Sequence, residues 1–164
     1  NNNEFNIAYD TFAKNTAGIG GKTFRSFSVE PWDNSVLENS IFDKNLGGDC
    51  GFASSVNLTK TNNLSGDGTC GPVAVTNISL NLSLNGGLVM NNALLAGSNA
   101  IDKAITDISL VRVPCPNMDQ RGVLRPLDGN ADGVAKCDIG AFEYKPKYVT
   151  LVGTAKNLSK TQVK

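Results

Sequence analysis

Short apolar runs that end in asparagine or glycine dominate the first 65 residues of the chain. The run Ile7–Asn15 aligns with Leu37–Asn45 at an offset of 30 residues. The matched positions are Phe12 with Phe42, Lys14 with Lys44, and Asn15 with Asn45. A third run, Ser55–Leu64, has the character of another turn of the same pattern. The pattern therefore predicts an internal repeat of short strands with polar corners.

Strands of a few residues, each followed by a polar corner, are typical of a parallel β-solenoid, in which apolar residues stack inward from one rung to the next. Asparagines at equivalent corners could then hydrogen-bond between rungs. An ordinary β-sandwich with asparagine-rich loops is the alternative. The repeat favours the solenoid, and we expect an all-β fold.

Residues 71–113 contain three further patterns. Apolar and polar residues alternate strictly from Ile78 to Leu84, which predicts a half-buried strand that ends at Asn85-Gly86-Gly87. Ser98 is a candidate N-cap for one or two helical turns. The segment Asp107–Val113 is apolar enough to cross or cover a core.

Composition excludes several classes of function. The 164 residues have a formal net charge of zero, so nothing favours nucleic acid or an anionic membrane as a partner. There is no histidine, which removes histidine-dependent catalytic triads and histidine-ligated metals. No apolar run has the roughly 20 residues of a membrane span. The sequence begins without methionine, which favours a mature protein or an excised fragment.

Four cysteines lie at positions that predict two local disulfide bonds. No Cys-x-x-Cys pair is present, so a zinc ribbon or a thioredoxin-type site is not expected. Of the three connectivities that four cysteines allow, we favour Cys50 with Cys70 and Cys115 with Cys137, because each pair brackets a loop rich in glycine, aspartate and asparagine. Such bonds indicate an oxidising, extracellular compartment.

One loop has the beginning of a calcium-binding pattern. Asp128, Asn130, Asp132 and Gly133 follow Asp-x-Asn-x-Asp-Gly, in which alternate oxygen ligands surround a hard cation. The carbonyl of Val134 would be the next ligand, but Ile139 stands where such loops have glutamate, so Asp138 or Glu143 would have to supply the missing carboxylate. The alternative is a tight turn whose side chains cap their own backbone. A bound calcium ion would be structural.

Asp119, Arg121 and Arg125 form a second charged cluster. We favour ion pairs that stabilise the fold, with arginine donating to carboxylates or carbonyls. The alternative is a site for an acidic sugar, in which a basic residue and calcium would act on a uronate polymer.

Three blocks of sequence resemble one protein family. The chain is similar, from about Val36 to Glu143, to the C-terminal portion of bacterial secreted right-handed parallel β-helix proteins of the choice-of-anchor Q type. The blocks are Asn39–Cys50 with Asn62–Gly71, Asn85–Gly87 with Ala93–Asp102, and Asp119–Pro126 with Cys137–Glu143. The resemblance implies a β-helix that ends in a disulfide-closed cap on an extracellular protein.

These observations together predict three parts: β-helix rungs in residues 1–114, a disulfide-closed cap in 115–144, and a basic tail in 145–164. In the tail, Tyr148–Val152 is a strand that pairs back, a strand offered to a neighbour, or part of a linker. We expect a non-enzymatic structural or adhesive module at the cell surface, with a homo-oligomer, a filament or a surface glycan as partner. The alternatives are a polysaccharide lyase or hydrolase fragment and a glycan-binding module.

Overall fold

The computed structural model of the protein describes residues 5–16, 24–26, 35–52 and 58–147. In these ranges the regular secondary structure consists of eight short strands, and there is no helix. The strands are β1 (Asn6–Ala8), β2 (Thr11–Ala13), β3 (Phe24–Ser26), β4 (Ser35–Glu38), β5 (Ile41–Asp43), β6 (Cys50–Phe52), β7 (Leu58–Thr61) and β8 (Leu64–Ser65). The predicted all-β class is confirmed, and Tyr148–Val152 lies outside the described residues.

All pairs between these strands are parallel, and the sheets recur in the same order along the chain. Their orders are β1-β4-β7, β2-β5-β8 and β3-β6. Phe12 is paired with Phe42, at the offset that the sequence repeat predicts. The third run is stacked below the second, with Leu58 opposite Ser35 and Leu64 opposite Ile41. An ordinary sandwich is built from antiparallel strands, so this pairing excludes that alternative for the described strands.

Equivalent corners share one backbone conformation. Tyr9, Asn39 and Asn62 follow successive strands of the first sheet and have φ of 58°, 48° and 55°. Asparagine adopts this left-handed conformation more readily than most residues, because its short side chain hydrogen-bonds locally. Asn62 Nδ2 donates to Asn39 Oδ1 at 2.8 Å, and Asn15 Nδ2 donates to Asn45 Oδ1 at 3.0 Å. The predicted hydrogen bonds between asparagines of successive repeats are therefore confirmed.

Successive residues of β5 bury opposite faces of the strand, as the period of two requires. Phe42 is fully buried and stacks on Phe12, with ring centroids 5.0 Å apart and planes 8° apart. It belongs to one apolar cluster with Leu37 and the Cys50–Cys70 disulfide. Ile41, on the opposite face, belongs to a second cluster. The stacked strands therefore have two buried faces.

The second face is covered by residues from the C-terminal half of the described chain. Gly140 N donates to Asn39 O at 2.8 Å, and Ala141 N donates to Thr11 Oγ1 at 3.0 Å. Gly140 has a φ of 93°, and a Cβ there would lie 2.7 Å from Ile41 Cδ1. This close approach requires glycine. The segment that we expected to cap the end of the stack thus lies along its side.

Another part of the cover binds the outer face of β4. The backbone N–H groups of Arg112 and Val113 both donate to the fully buried carboxylate of Glu38. Ile105 exchanges hydrogen bonds with the side chain of Asn39, donating at 3.0 Å and accepting at 2.9 Å. Val111 is buried in the same region. The expectation that residues 107–113 cover a core holds only in part, because Val111 is buried whereas residues 107–110 are exposed.

The structure corrects two local predictions for residues 78–101. Ile78 and Leu94 form one antiparallel bridge and Ser83 and Asn91 form another, so residues 77–95 are an irregular hairpin rather than a half-buried strand. The leucines at its far end point into solvent. Ser98 initiates a turn, not a helix: its backbone oxygen accepts from Ile101 N at 3.2 Å. The buried residues Leu94, Ala100 and Ile101 pack instead against Ile41 and Leu64 of the stacked strands.

We expect Asn63→Ala to destabilise the stacked repeats. Asn63 Oδ1 accepts from Ser40 N at 3.0 Å and its Nδ2 donates to Leu37 O at 2.6 Å, both in buried surroundings. The variant removes both of these buried hydrogen bonds, at about 0.5–1.5 kcal/mol each. Urea unfolding followed by circular dichroism measures the loss. The exposed Asn81→Ala is the matched control, and equal stability of the two variants would contradict the assignment.

Candidate functional site

Both predicted disulfide bonds are present. Cys50–Cys70 and Cys115–Cys137 close loops with sequence separations of 20 and 22 residues, and no described cysteine is free. The first bond lies inside the stacked strands, next to Leu37 and Phe42. The second joins two segments of the C-terminal half of the described chain, the lateral cover of the stacked strands. Each bond of this loop length adds roughly 3 kcal/mol of stability in the chain-entropy account.

The loop with the calcium-like pattern is closed by its own hydrogen bonds. Asp128 accepts from the backbone N–H groups of Asp132 and Gly133 at 3.1 and 2.8 Å. Asn130 Oδ1 accepts from Asp132 N at 2.8 Å, and Asp132 Oδ1 accepts from Val134 N at 2.8 Å. This is the arrangement of the tight-turn alternative.

Asp138, the fifth residue of the predicted calcium set, serves a different contact. It is completely buried, and its carboxylate accepts from the backbone N–H groups of Asp102 and Tyr144. In the described part of the chain, no group of three or more acidic or cysteine side chains is placed to hold a metal ion. Calcium binding by residues 128–134 stays a prediction.

A buried ion pair lies at the centre of the lateral cover. The side chains of Arg125 and Glu143 are fully buried, with Nε and Oε2 3.4 Å apart. The guanidinium also donates to the carbonyls of Asp138 and Gly140 at 3.3 and 2.7 Å. Glu143 accepts from Leu127 N at 2.7 Å and from Asp138 N at 3.1 Å. Arg125 Nε approaches the carboxylate but makes no hydrogen bond. This pair therefore has the structural role favoured from the sequence.

A second ion pair, between Arg121 and Asp119, lies at the edge of the same cluster. Arg121 donates to Asp119 Oδ2 through Nε at 2.8 Å and through Nη2 at 2.6 Å. Its guanidinium lies 3.5 Å from the centroid of the Phe142 ring, a cation–π contact. The Asp119 carboxylate also accepts from Glu143 N at 3.0 Å. The three charged residues predicted as a cluster are thus brought together, with Glu143 added.

Two essential members of the network were not predicted. Glu38 binds the backbone of residues 112–113, and Asp102 Oδ2 accepts from Asn130 N at 2.7 Å. Asp102 also accepts from Gly129 N at 3.3 Å. Each of these acidic residues directly follows two buried apolar residues. Glu38 follows Val36 and Leu37, and Asp102 follows Ala100 and Ile101. An acidic residue at the end of an apolar run was the signal available in the sequence.

Burial is the main cause of the pKa shifts of Asp138, Glu143 and Arg125 in this cluster. It raises the pKa of Asp138 to about 7, with a further contribution from the nearby Glu143 carboxylate. Burial also raises the pKa of Glu143 and lowers the pKa of Arg125. Burial alone would raise the pKa of Asp119, but the Glu143 N–H and Arg121 hold it below its usual value. The cluster therefore contains carboxylates whose proton affinities differ widely.

A polar notch of about 440 Å³ opens where the cover meets the corner after β1. Its walls include the ring of Tyr9, the exposed side chains of Asp10 and Gln120, and Met118. The walls of the notch remove part of the water around Asp10, and this partial desolvation raises the pKa of its carboxyl group. Hydrogen-bonding groups beside an apolar wall are compatible with a small polar ligand.

Comparison with known proteins adds no relative. No protein-family model, no curated protein and no solved structure matches the chain. Among the described residues, no helix is long and apolar enough to cross a membrane. The resemblance to choice-of-anchor Q proteins stays a prediction.

We expect the protein to lose stability as the pH rises from about 4 to about 7. In this range unfolded Asp138, with its ordinary pKa of 3.8, is ionised, whereas folded Asp138, with a pKa of about 7, retains its proton. The folded state then binds more protons, so raising the pH favours unfolding. The melting temperature, measured across this range, should fall.

Asp138→Asn removes the titrating group and should flatten this slope. Asp107→Asn is the control, because Asp107 is exposed and the hydrogen bonds of its carboxylate are to Ser109. It should leave the slope as in the wild type. A melting temperature that rises between about pH 4 and 7 in the wild type would contradict the shifted pKa of Asp138.

Arg125→Met should be one of the most destabilising single changes in the cover. It leaves the Glu143 carboxylate buried without its positive partner, which costs about 3–5 kcal/mol. Lys136→Met is the control, since Lys136 is exposed, and a change within about 0.5 kcal/mol is expected there. Urea unfolding at neutral pH compares them. Equal losses would mean that the Arg125–Glu143 pair adds nothing to stability.

Proposed function

We propose that the chain is a non-enzymatic, extracellular structural or adhesive module built on a right-handed parallel β-helix of the choice-of-anchor Q type. The observation that carries this proposal is the repeated parallel register, in which Thr11, Ile41 and Leu64 are paired in one row across three strands. A chain that visits the same sheets in the same order is the defining property of a β-solenoid.

The two disulfide bonds support an extracellular location. Both Cys50–Cys70 and Cys115–Cys137 are formed, and bonds of this kind persist in oxidising compartments. The first bond closes a loop that contains β6, β7 and β8, and the second closes a loop within the part of the described chain that has no regular strands. Covalent closure suits a protein that has to remain folded outside the cell.

The positions of the charged residues support a structural role over polysaccharide cleavage. The alternative requires Arg125 to reach a polymer, but its side chain is fully buried against Glu143. Asp128, the carboxylate that would act with it, is engaged with the backbone of its own loop. A lyase would need both groups at the surface of one groove.

An open strand edge supports self-assembly. In the described chain, β7 is the last strand of the first sheet and pairs only with β4. Thr59 and Lys60 on this strand are exposed. An unpaired edge of this kind can accept a strand from another molecule. A homo-oligomer or filament built through this edge is therefore the assembly that we propose, and a cell-surface glycan stays a further candidate partner.

The test is the assembly state of the unreduced protein, by sedimentation velocity and negative-stain electron microscopy. We expect ordered oligomers, and we expect Thr59→Lys to reduce them because a lysine on the edge opposes strand addition. Gln120→Lys adds the same charge at an exposed position beside the corner after β1, at the opposite edge of the first sheet from β7, and should leave assembly unchanged. A monomer at all concentrations, or equal effects of the two variants, would refute assembly through β7.

A further inference from the structure

The hairpin of residues 77–95 carries a concentration of exposed apolar side chains. Leu88 at its tip is 99% exposed, and its neighbours Val89 and Met90 are 57% and 60% exposed. Further exposed apolar residues of the hairpin are Leu82, Leu84 and Leu95. Patches of this kind in a folded domain mark sites of interaction.

This hairpin lies within a stretch that has no charge. Residues 71–101 contain no aspartate, glutamate, lysine or arginine. Asparagine and serine supply its polarity, and these side chains are much less costly to bring towards a hydrocarbon phase than charged ones. The surface is therefore suited to contact with an apolar medium.

Several polar groups near the hairpin tip have hydrogen-bond partners within the hairpin. Asn85 Nδ2 donates to the carbonyls of Ser83 and Asn91, both at 3.1 Å. Asn91 Nδ2 donates to Val89 O at 3.1 Å, and Gly87 N donates to Leu84 O at 2.7 Å. Backbone that enters lipid requires such internal partners, because lipid chains supply none.

Positive charge lies beside this tip. A groove of about 600 Å³ is lined by Asn85 and Leu95 on the hairpin side and by Lys145 and Lys147 on the other. Both lysines are exposed, and the described lining of the groove contains no carboxylate. An apolar tip with basic residues at its base matches an anionic lipid surface, in which headgroups attract the lysines and acyl chains receive the apolar residues.

We propose that the hairpin inserts Leu88–Met90 into the outer layer of an anionic lipid bilayer, with Lys145 and Lys147 at the level of the headgroups. A fluid lipid layer fits this tip better than a protein pocket does, because Leu88 projects from the molecule with almost its whole surface in solvent. The net charge of zero means that the attraction is local to these two lysines. The proposal is independent of assembly through β7.

The test is co-sedimentation of the full chain with vesicles of phosphatidylcholine and phosphatidylglycerol. We expect Leu88→Glu to lower the partition coefficient by roughly tenfold or more, since it places a charge where the proposed insertion buries a leucine in the bilayer. Ile108→Glu is the matched control, because Ile108 is 78% exposed on a different loop and should not change binding. Both variants should melt at the wild-type temperature, since both side chains are exposed.

The lysines give a second, independent readout. The double variant Lys145→Gln and Lys147→Gln should weaken binding to the anionic vesicles and remove most of its dependence on salt. Vesicles of phosphatidylcholine alone should bind the wild type and this double variant equally.

Several results would overturn the proposal. These are failure of the wild type to bind anionic vesicles, and equal effects of Leu88→Glu and Ile108→Glu on binding. A third is that the wild type does not bind vesicles and Leu88→Glu changes the sedimentation of the lipid-free protein. That result would assign the hairpin to contact between protein molecules. A fall in melting temperature confined to Leu88→Glu, again without vesicle binding, would mean that the chain itself covers the tip.

Discussion

Buried carboxylates that accept backbone N–H groups hold the C-terminal half of the described chain in place. This half has no regular strands, so its backbone groups need partners from side chains. Glu38, Asp102, Asp119, Asp138 and Glu143 each accept from at least two backbone N–H groups. Each carboxyl group thereby replaces part of a strand ladder. At Asp119 the hydrogen bonds outweigh burial and the pKa is lowered, whereas at Asp138 and Glu143 burial outweighs them and the pKa is raised. Because burial raises the pKa of Asp138, the stability of the cover depends on pH.

The cover has consequences for which surfaces remain free. Gly140 and Ala141 lie on the outer face of the second sheet, over Thr11 and Ile41. One side of the stacked strands is thus covered by the chain itself and cannot serve as a long binding groove. In the described part of the chain, the surfaces available to partners include the strand edge at β7, the polar notch and the apolar hairpin. A structural or adhesive role at edges and tips is consistent with this distribution.

The candidate calcium residues show where reasoning from local patterns reaches its limit. Asp128, Asn130 and Asp132 have the same spacing in a cation-binding loop and in a turn that caps its own backbone, so sequence could not separate them. Asp138 was assigned to this loop by proximity in sequence. Its carboxylate instead accepts from the backbone N–H groups of Asp102 and Tyr144. A side chain's partner across a fold is not encoded in spacing alone.

The sequence by itself determined the features that repeat or act locally. The offset of 30 residues between Phe12 and Phe42, the asparagine corners and both disulfide pairs follow from periodicity and short loops. Only the tertiary structure decided where the C-terminal half lies and that the alternating leucines of the hairpin face solvent. Those outcomes depend on contacts between distant residues, such as Glu38 with Val113, and no local pattern records which distant group will meet a buried charge.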